Sequence, residues 1–265
     1  MHIKDFTARF YLDFDPAEFI YLDELECIAY DKVMEREVRL LIQKKMNPKK
    51  VKLISNALEC QNIQKIYAHI ILSFENSNFK TQVLVLEPYT SGTFNEFLKS
   101  NFPTDSVLND IIKGIIKGLV HIHGLNTYCG VLLPNSIIIT ALPAKPAMYL
   151  AKIAASALFR VDSGFRENDT SGHKRQNLAP ELLKLFSPNS KSDIWSLGVL
   201  LFEIFTGQQP LIDPDAEQVE FVAEFNQLLE GITLPYRTVI QQSLVLDPLL
   251  RPSIENIAAL VIPQE

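Results

Sequence analysis

Glycine is missing from the first ninety-one residues; Gly92 is the first of ten in the chain. Backbone can approach a phosphate closely where side chains lack a Cβ. Without glycine, a phosphate-cradling loop in this third of the chain is excluded. Cysteine is scarce as well. Cys27, Cys60 and Cys129 lie far apart, at spacings that suit neither a disulfide framework nor a metal site. A sparse, odd set implies reduced thiols and a cytoplasmic setting. Histidine adds little: His121 and His123 are two residues apart and point to different faces of a helix. Basic residues are outnumbered, 25 to 31, and the formal charge of -6 argues against nucleic-acid binding by the chain as a whole. Apolar runs such as Val83–Leu86 and Leu197–Phe205 are too short or too interrupted to span a bilayer. No positively charged start followed by an apolar run suggests a secretory leader.

What is present suffices for a sizeable core. The chain has 265 residues, 47% of them hydrophobic and 21% charged, as in an ordinary globular protein. Strand-like runs fall at Ala8–Leu12, Phe19–Leu22, Glu26–Tyr30, Ile66–Phe74 and Gln82–Leu86. The charged, leucine-bearing stretch Met34–Cys60 reads as helical, broken by Pro48 into Met34–Met46 and a second helix from about Pro48. After Thr90-Ser91-Gly92-Thr93 the pattern turns helical, at Phe94–Lys99, Val107–His123, Leu197–Phe205, Val219–Leu229, Tyr236–Val245 and Ile254–Leu260. Ile137–Thr140 and Tyr149–Ile153 read as a hairpin pair around a Pro- and Ala-rich insertion. Strands first and helices afterwards imply an α+β, two-lobed architecture with a small lobe over 1–88 and a larger one over 89–265.

Three separated elements narrow this further. They are Ala179-Pro180-Glu181, then Ser192-Asp193-Ile194-Trp195-Ser196-Leu197-Gly198, then Leu246-Asp247-Pro248-Leu249-Leu250-Arg251-Pro252. Together, and at this spacing, they resemble the helical lobe of the protein kinase family. The resemblance implies that Glu181 and Arg251 form a buried ion pair and that Asp193 accepts hydrogen bonds from the backbone of the catalytic loop. A buried pair of this sort is structural: deleting one partner leaves an uncompensated charge. Upstream, Val83–Leu98 looks like the fifth strand, the hinge and the first large-lobe helix. Leu86 would be the gatekeeper, and the groups that grip adenine would be the Glu87 carbonyl and the Tyr89 amide.

The family's chemistry fares worse. Its catalytic loop aligns with Cys129-Gly130-Val131-Leu132-Leu133-Pro134-Asn135-Ser136. Val131 stands at the base and has no lone pair to take a proton. Leu133 stands at the phosphate-contacting lysine and Ser136 at the metal-binding asparagine. A register that moves Asn135 onto the asparagine puts Gly130 at the base. The metal-binding motif aligns with Ala155-Ser156-Ala157, and Ala155 offers magnesium no oxygen. On the third strand, Asp31 would fall at the phosphate lysine, where a carboxylate repels phosphates. The small-lobe helix places Val51 or Lys52 where a glutamate is needed. Phosphoryl transfer depends on such parts to position the nucleotide and neutralise charge.

On this reading the chain is expected to be no enzyme: a pseudokinase with no cofactor and no metal, acting as scaffold or allosteric regulator through protein contacts. A few shared residues resemble, more narrowly, the kinase-like domain that precedes the active kinase in the amino-acid-starvation kinases of the translation initiation factor. That likeness implies an active kinase domain as partner, in the same polypeptide. Two alternatives remain: a nucleotide-binding sensor using the hinge alone, and a nucleotide-dependent transferase using relocated residues. The basic run Lys44–Lys52 suits an acidic partner or RNA, or a solvated helix end. Ser163, Thr170 and Ser171 fall in the activation-segment equivalent, as regulatory phosphate sites or as a polar loop.

Overall fold

A computed structural model describes residues 1–20, 24–44, 46–56, 60–75, 78, 80–142, 148–159, 178–184, 187–208, 210 and 223–263. The first lobe opens with helix α1 (Ile3–Arg9) and strand β1 (Phe10–Tyr11), followed by a 3-10 turn at Pro16–Ile20. Strands β2 (Glu24–Asp31) and β3 (Arg36–Gln43), helix α2 (Pro48–Asn56), and strands β4 (Ile66–Ser73) and β5 (Lys80–Leu86) complete it. The five strands form one sheet in the order β1-β2-β3-β5-β4, antiparallel at each pairing. The architecture is α+β, a β-sheet lobe followed by a helical lobe.

Two expectations fail here. Residues 36–43 form a strand, not the first half of a helix, because β3 is covered on both faces. Val38, Leu40 and Ile42 join Phe6, Phe10 and Phe19 in the core under α1. Leu41 points the other way, into the core shared with α2 and the helical lobe. A strand buried on both faces loses the apolar–polar alternation that identifies it. Phe19 and Ile20, expected to open a strand over Phe19–Leu22, instead end the 3-10 turn, residues 21 and 22 lie outside the described residues, and Phe19 packs edge-on against Phe6 and Phe14.

The second lobe contains α3 (Phe94–Ser100), α4 (Asp105–Gly124), the hairpin β6 (Ile137–Ala141) and β7 (Tyr149–Ile153), and α5 (Ala155–Phe159). Then follow α6 (Pro180–Leu183), α7 (Ser190–Thr206), α8 (Ala223–Glu230), α9 (Tyr236–Ser243) and α10 (Ile254–Val261). Thr93 caps α3 with a reciprocal bond to Glu96, and Asn189 caps α7. α7 is buried from Ser192 to Phe202, as its apolar sequence requires. No helix among the described residues is long and apolar enough to cross a membrane.

The loop between α2 and β4 docks on the second lobe like an added strand. The Ile153 amide donates to the Asn62 carbonyl at 2.9 Å, and the Gln64 amide donates to the Ile153 carbonyl at 2.9 Å. The Asn62 side chain donates to the Ala151 carbonyl. α4 lies close enough to this seam that a Cβ on Gly118 would come within 2.8 Å of the Asn62 carbonyl oxygen and 3.0 Å of Ile153 Cδ1. Gly118→Ala is therefore expected to destabilise by about 1–2 kcal/mol, overpacking outweighing the gain in helix propensity. Gly124, with nothing within 4 Å of the same position, is the control. A urea midpoint for Gly118→Ala equal to that of Gly124→Ala would refute the close approach.

Candidate functional site

The candidate site lies where the lobes meet, at the end of β5 and the loop before β6. Leu86 is fully buried between Arg39 of β3 and Ile66 of β4. The next residue, Glu87, is held on all sides. Its amide donates to the Lys65 carbonyl, and its carboxylate accepts from the Lys65 amide at 2.7 Å and from Lys152 Nζ at 2.6 Å. Its carbonyl accepts from Gln64 Nε2 at 2.9 Å. The other end of that amide, Gln64 Oε1, accepts from the Ala155 amide at 2.9 Å. One buried side chain thus ties the Glu87 carbonyl to the Ala155 amide.

Tyr89 sits under the Arg39 guanidinium, 3.9 Å from its ring centre, and Arg39 is paired with Glu26 at 3.2 Å. Burial first, and the nearby Glu26 charge second, hold the Tyr89 phenol above its ordinary pKa. The chain turns at Gly92, whose φ of 79° favours glycine, before the Thr93 cap.

The loop before β6 is organised by Asp193 of α7. Its carboxylate accepts from the Cys129 and Gly130 amides and pairs with His123 Nε2 at 2.8 Å. Gly130, at φ 88°, supplies the left-handed turn that aims both amides at one carboxylate. Val131, Leu132 and Leu133 are buried in the same core as Ala155 and Phe159. Ser136 Oγ accepts from the Leu133 amide, closing the loop on itself. α5 is buried along its whole length. The positions aligned with the base and the metal ligand therefore present methyl groups to an apolar core.

Asp31 requires a correction. The strand before α2 is β3, the third of the sheet, and Asp31 ends β2 instead. Its carboxylate is bound by Arg9 Nε and Nη2 and accepts the Val33 and Met34 amides, capping the β2–β3 turn. The Arg9 hydrogen bond, against the penalty of burial, holds this carboxyl below the usual range. On β3, Leu41 faces the shared core. Val51 of α2 is buried there, while Lys52 is exposed.

Glu181 and Arg251 face each other through two parallel bonds, Nη1 to Oε1 at 2.8 Å and Nη2 to Oε2 at 2.9 Å. Arg251 also donates to the carbonyls of Val245, Lys191 and Leu246, and lies over the Trp195 ring. Ser192 Oγ donates to Glu181 at 3.0 Å. This knot joins α6, α7 and the turn before α10.

Sequence reasoning passed over Gln64, Lys152 and Arg39. No motif marks them, since their partners are remote in the chain. Ser163, Thr170 and Ser171 lie outside the described residues. Among the described residues no group of three or more His, Cys, Asp or Glu side chains is placed to hold a metal ion.

A model of the family "Protein tyrosine and serine/threonine kinase" matches residues 28–261. Curated relatives include the serine/threonine-protein kinase PLK4 of Danio rerio, 26% identical over 69% of this chain and 19% of its own length. Another is the serine/threonine-protein kinase ULK3 of Rattus norvegicus, 24% identical over 87% of this chain and 50% of its own. The chain spans half or less of the length of these relatives. Among solved structures, a Rad53 fragment crystallised with AMP-PNP superposes with a TM-score of 0.66 at 19% identity, over 90% of this chain and 61% of that one. These comparisons overturn one expectation. The chain was expected to be no enzyme; a kinase family model and relatives named as serine/threonine kinases point to an enzyme, at low identity.

Proposed function

The chain belongs to the protein kinase family, and from that premise we propose that it works as a regulatory kinase-family domain, a scaffold or allosteric partner acting through protein contacts. The partner is an active kinase domain, in the same polypeptide or bound to it, in the cytoplasm. The observation that carries this reading is the state of the cleft. Gln64 bridges the hinge carbonyl of Glu87 and the Ala155 amide, Arg39 covers Tyr89, and the walls beyond are apolar. Bonds that tie Glu87 and Gln64 to Lys152 and Ala155 of the second lobe suit a domain whose output is its shape. The narrower likeness to the kinase-like domain of the amino-acid-starvation kinases supports the same partner class.

The test is to add the chain to a purified active serine/threonine kinase domain and follow peptide phosphorylation. A saturable change in rate of at least about threefold, weakened in a Gln64→Glu variant that keeps the fold but loses the donor to Glu87, supports regulation by contact. No change at tens of micromolar chain overturns it. A second reading is favoured by the names of the relatives: phosphoryl transfer by this chain, with base and metal ligands at positions other than Val131 and Ala155. Magnesium-dependent transfer by the chain alone, lost on mutation within it, would establish that reading.

A further inference from the structure

At the C-terminal end of α4 a cavity of about 380 Å³ opens between that helix and the first turns of α7 and α10. It is separate from the cleft: Gln64, Glu87 and Ala155 do not line it. Asn189, Ser190 and Lys191 form one side, and Ser253, Ile254 and Glu255 another. The caps already satisfy most first-turn amides. Asn189 Oδ1 accepts from Lys191 and Ser192, and Ser253 Oγ accepts from Asn256. The Ser190 and Ile254 amides have no hydrogen-bond partner among the described residues. Two positive helix ends thus face one space, each with a donor uncommitted.

A buried side chain points to a ligand independently of the helix ends. His123 lines the cavity, its side chain only 8% exposed. Its Nε2 meets the Asp193 carboxylate at 2.8 Å, which places a proton on that nitrogen. Its Nδ1 has no partner among the described residues and is not sealed off, so it opens on the cavity. Lys191 adds a cation. Its Nζ donates to the Arg251 and Pro252 carbonyls, and an ammonium has a third N–H to give. Glu255 sets the other requirement. The Ser253 hydroxyl and its own amide, with His123 and Lys191 nearby, hold its carboxyl below the usual range against the penalty of burial. An ionised carboxylate only accepts hydrogen bonds. A bare anion meets it as a like charge, whereas an anion bearing hydroxyl groups brings it donors.

We propose that this cavity binds a small phosphorylated polyol, of the sugar phosphate class. The phosphate takes the α7 side, on the Ser190 amide, the Lys191 ammonium and His123, and a hydroxyl donates to Glu255. The volume falls within the range of small-molecule sites, about 300–1,000 Å³, and exceeds what phosphate alone fills. The formal charge of -6 does not decide against an anion here, because charges farther than about 10 Å are screened while these donors act at contact. The inference stands apart from the reading of the chain as a regulatory domain, since it needs no protein partner.

The experiment titrates the whole chain by calorimetry with glycerol 3-phosphate, ribose 5-phosphate and glucose 6-phosphate, beside inorganic phosphate and glucose, at fixed ionic strength. The expected result is saturable binding of at least one ester, at least about tenfold tighter than inorganic phosphate, and none of glucose. Ser190→Pro is the main variant. Proline suits the first helical position, and Asn189 before it is already extended, so the substitution removes one N–H and keeps the helix. It should weaken the ester at least about tenfold, with a melting temperature within about 3 °C of the parent. Glu255→Gln should tighten inorganic phosphate at least about twofold by removing a like charge. Asp105→Pro puts the same residue at the first position of α4, about 27 Å along the helix from His123, and should bind like the parent. No binding of any ester at about 10 mM overturns the proposal, as does undiminished binding in Ser190→Pro or equal loss in Asp105→Pro. Inorganic phosphate as tight as the esters overturns it in favour of a simple anion site. Should Ser190→Pro fail to fold, Glu255→Gln decides: unchanged phosphate affinity there removes the ligand from this cavity.

Discussion

Arg251→Ala is expected to lower the unfolding free energy by about 3–5 kcal/mol, the cost of leaving a buried carboxylate without its cation. Arg251 is 2% exposed and Glu181 is 9% exposed, so water cannot take over the pairing cheaply. The variant also strands the carbonyls of Val245, Lys191 and Leu246, which lose a charged donor. A domain of ordinary stability has about 5–15 kcal/mol in total, so much of the folded population could go. The effect should depend on pH in a defined direction. Burial raises the Glu181 pKa, but the Arg251 hydrogen bonds and charge, with Ser192, bring it below the usual carboxylate range. A carboxyl lowered in the folded state contributes stability above its unfolded value of about 4.3 and loses it as pH falls through the folded value. In Arg251→Ala the burial penalty stands alone and protonation relieves it. The gap between the parent and variant urea midpoints should therefore be widest near neutral pH and narrow below about pH 4. A variant that melts like the parent at pH 7 would remove the ion pair from any structural role.

The second large effect is expected from Asp193→Ala. Its carboxylate holds the Cys129 and Gly130 amides and His123, and it is fully buried. Two buried amides left without acceptors cost about 1–3 kcal/mol each, so the loss should reach about 2–6 kcal/mol. Asp193→Asn keeps one acceptor oxygen and should lose roughly half as much. Amide hydrogen exchange localises the effect: Cys129 and Gly130 should lose protection in the alanine variant beyond the global change. Unchanged exchange at these two amides would mean that the loop is held by its apolar side chains alone. Val131, Leu132 and Leu133 are all buried, so packing also acts on the loop, and the measurement separates the two forces.

Much of the helical lobe is legible in the sequence. The apolar run after Asp193 reads as a buried helix, and the Thr90-Ser91-Gly92-Thr93 punctuation marked the start of α3. The strand ends at Leu86 and the chain turns at Gly92, where the sequence placed a strand end and a break. In the first lobe the same reasoning misplaced β3. Its residues serve two cores at once, and period-2 alternation disappears when both faces are buried. That error carried Asp31 into the cleft, whereas it caps a turn beneath Arg9.

What the sequence by itself determined was local: helix ends, the glycine turns, and the residue types at the aligned catalytic positions. Only the tertiary structure decided what ties the end of β5 to the second lobe. Gln64 meets Glu87 across 23 residues and Ala155 across 91, and Lys152 reaches Glu87 across 65. Such partners have no spacing rule, because chain folding in three dimensions, not helix or strand period, brings them together. A glutamine with both ends of its amide engaged is indistinguishable in sequence from a solvated one. Burial is what makes its bonds obligatory, and burial belongs to the fold.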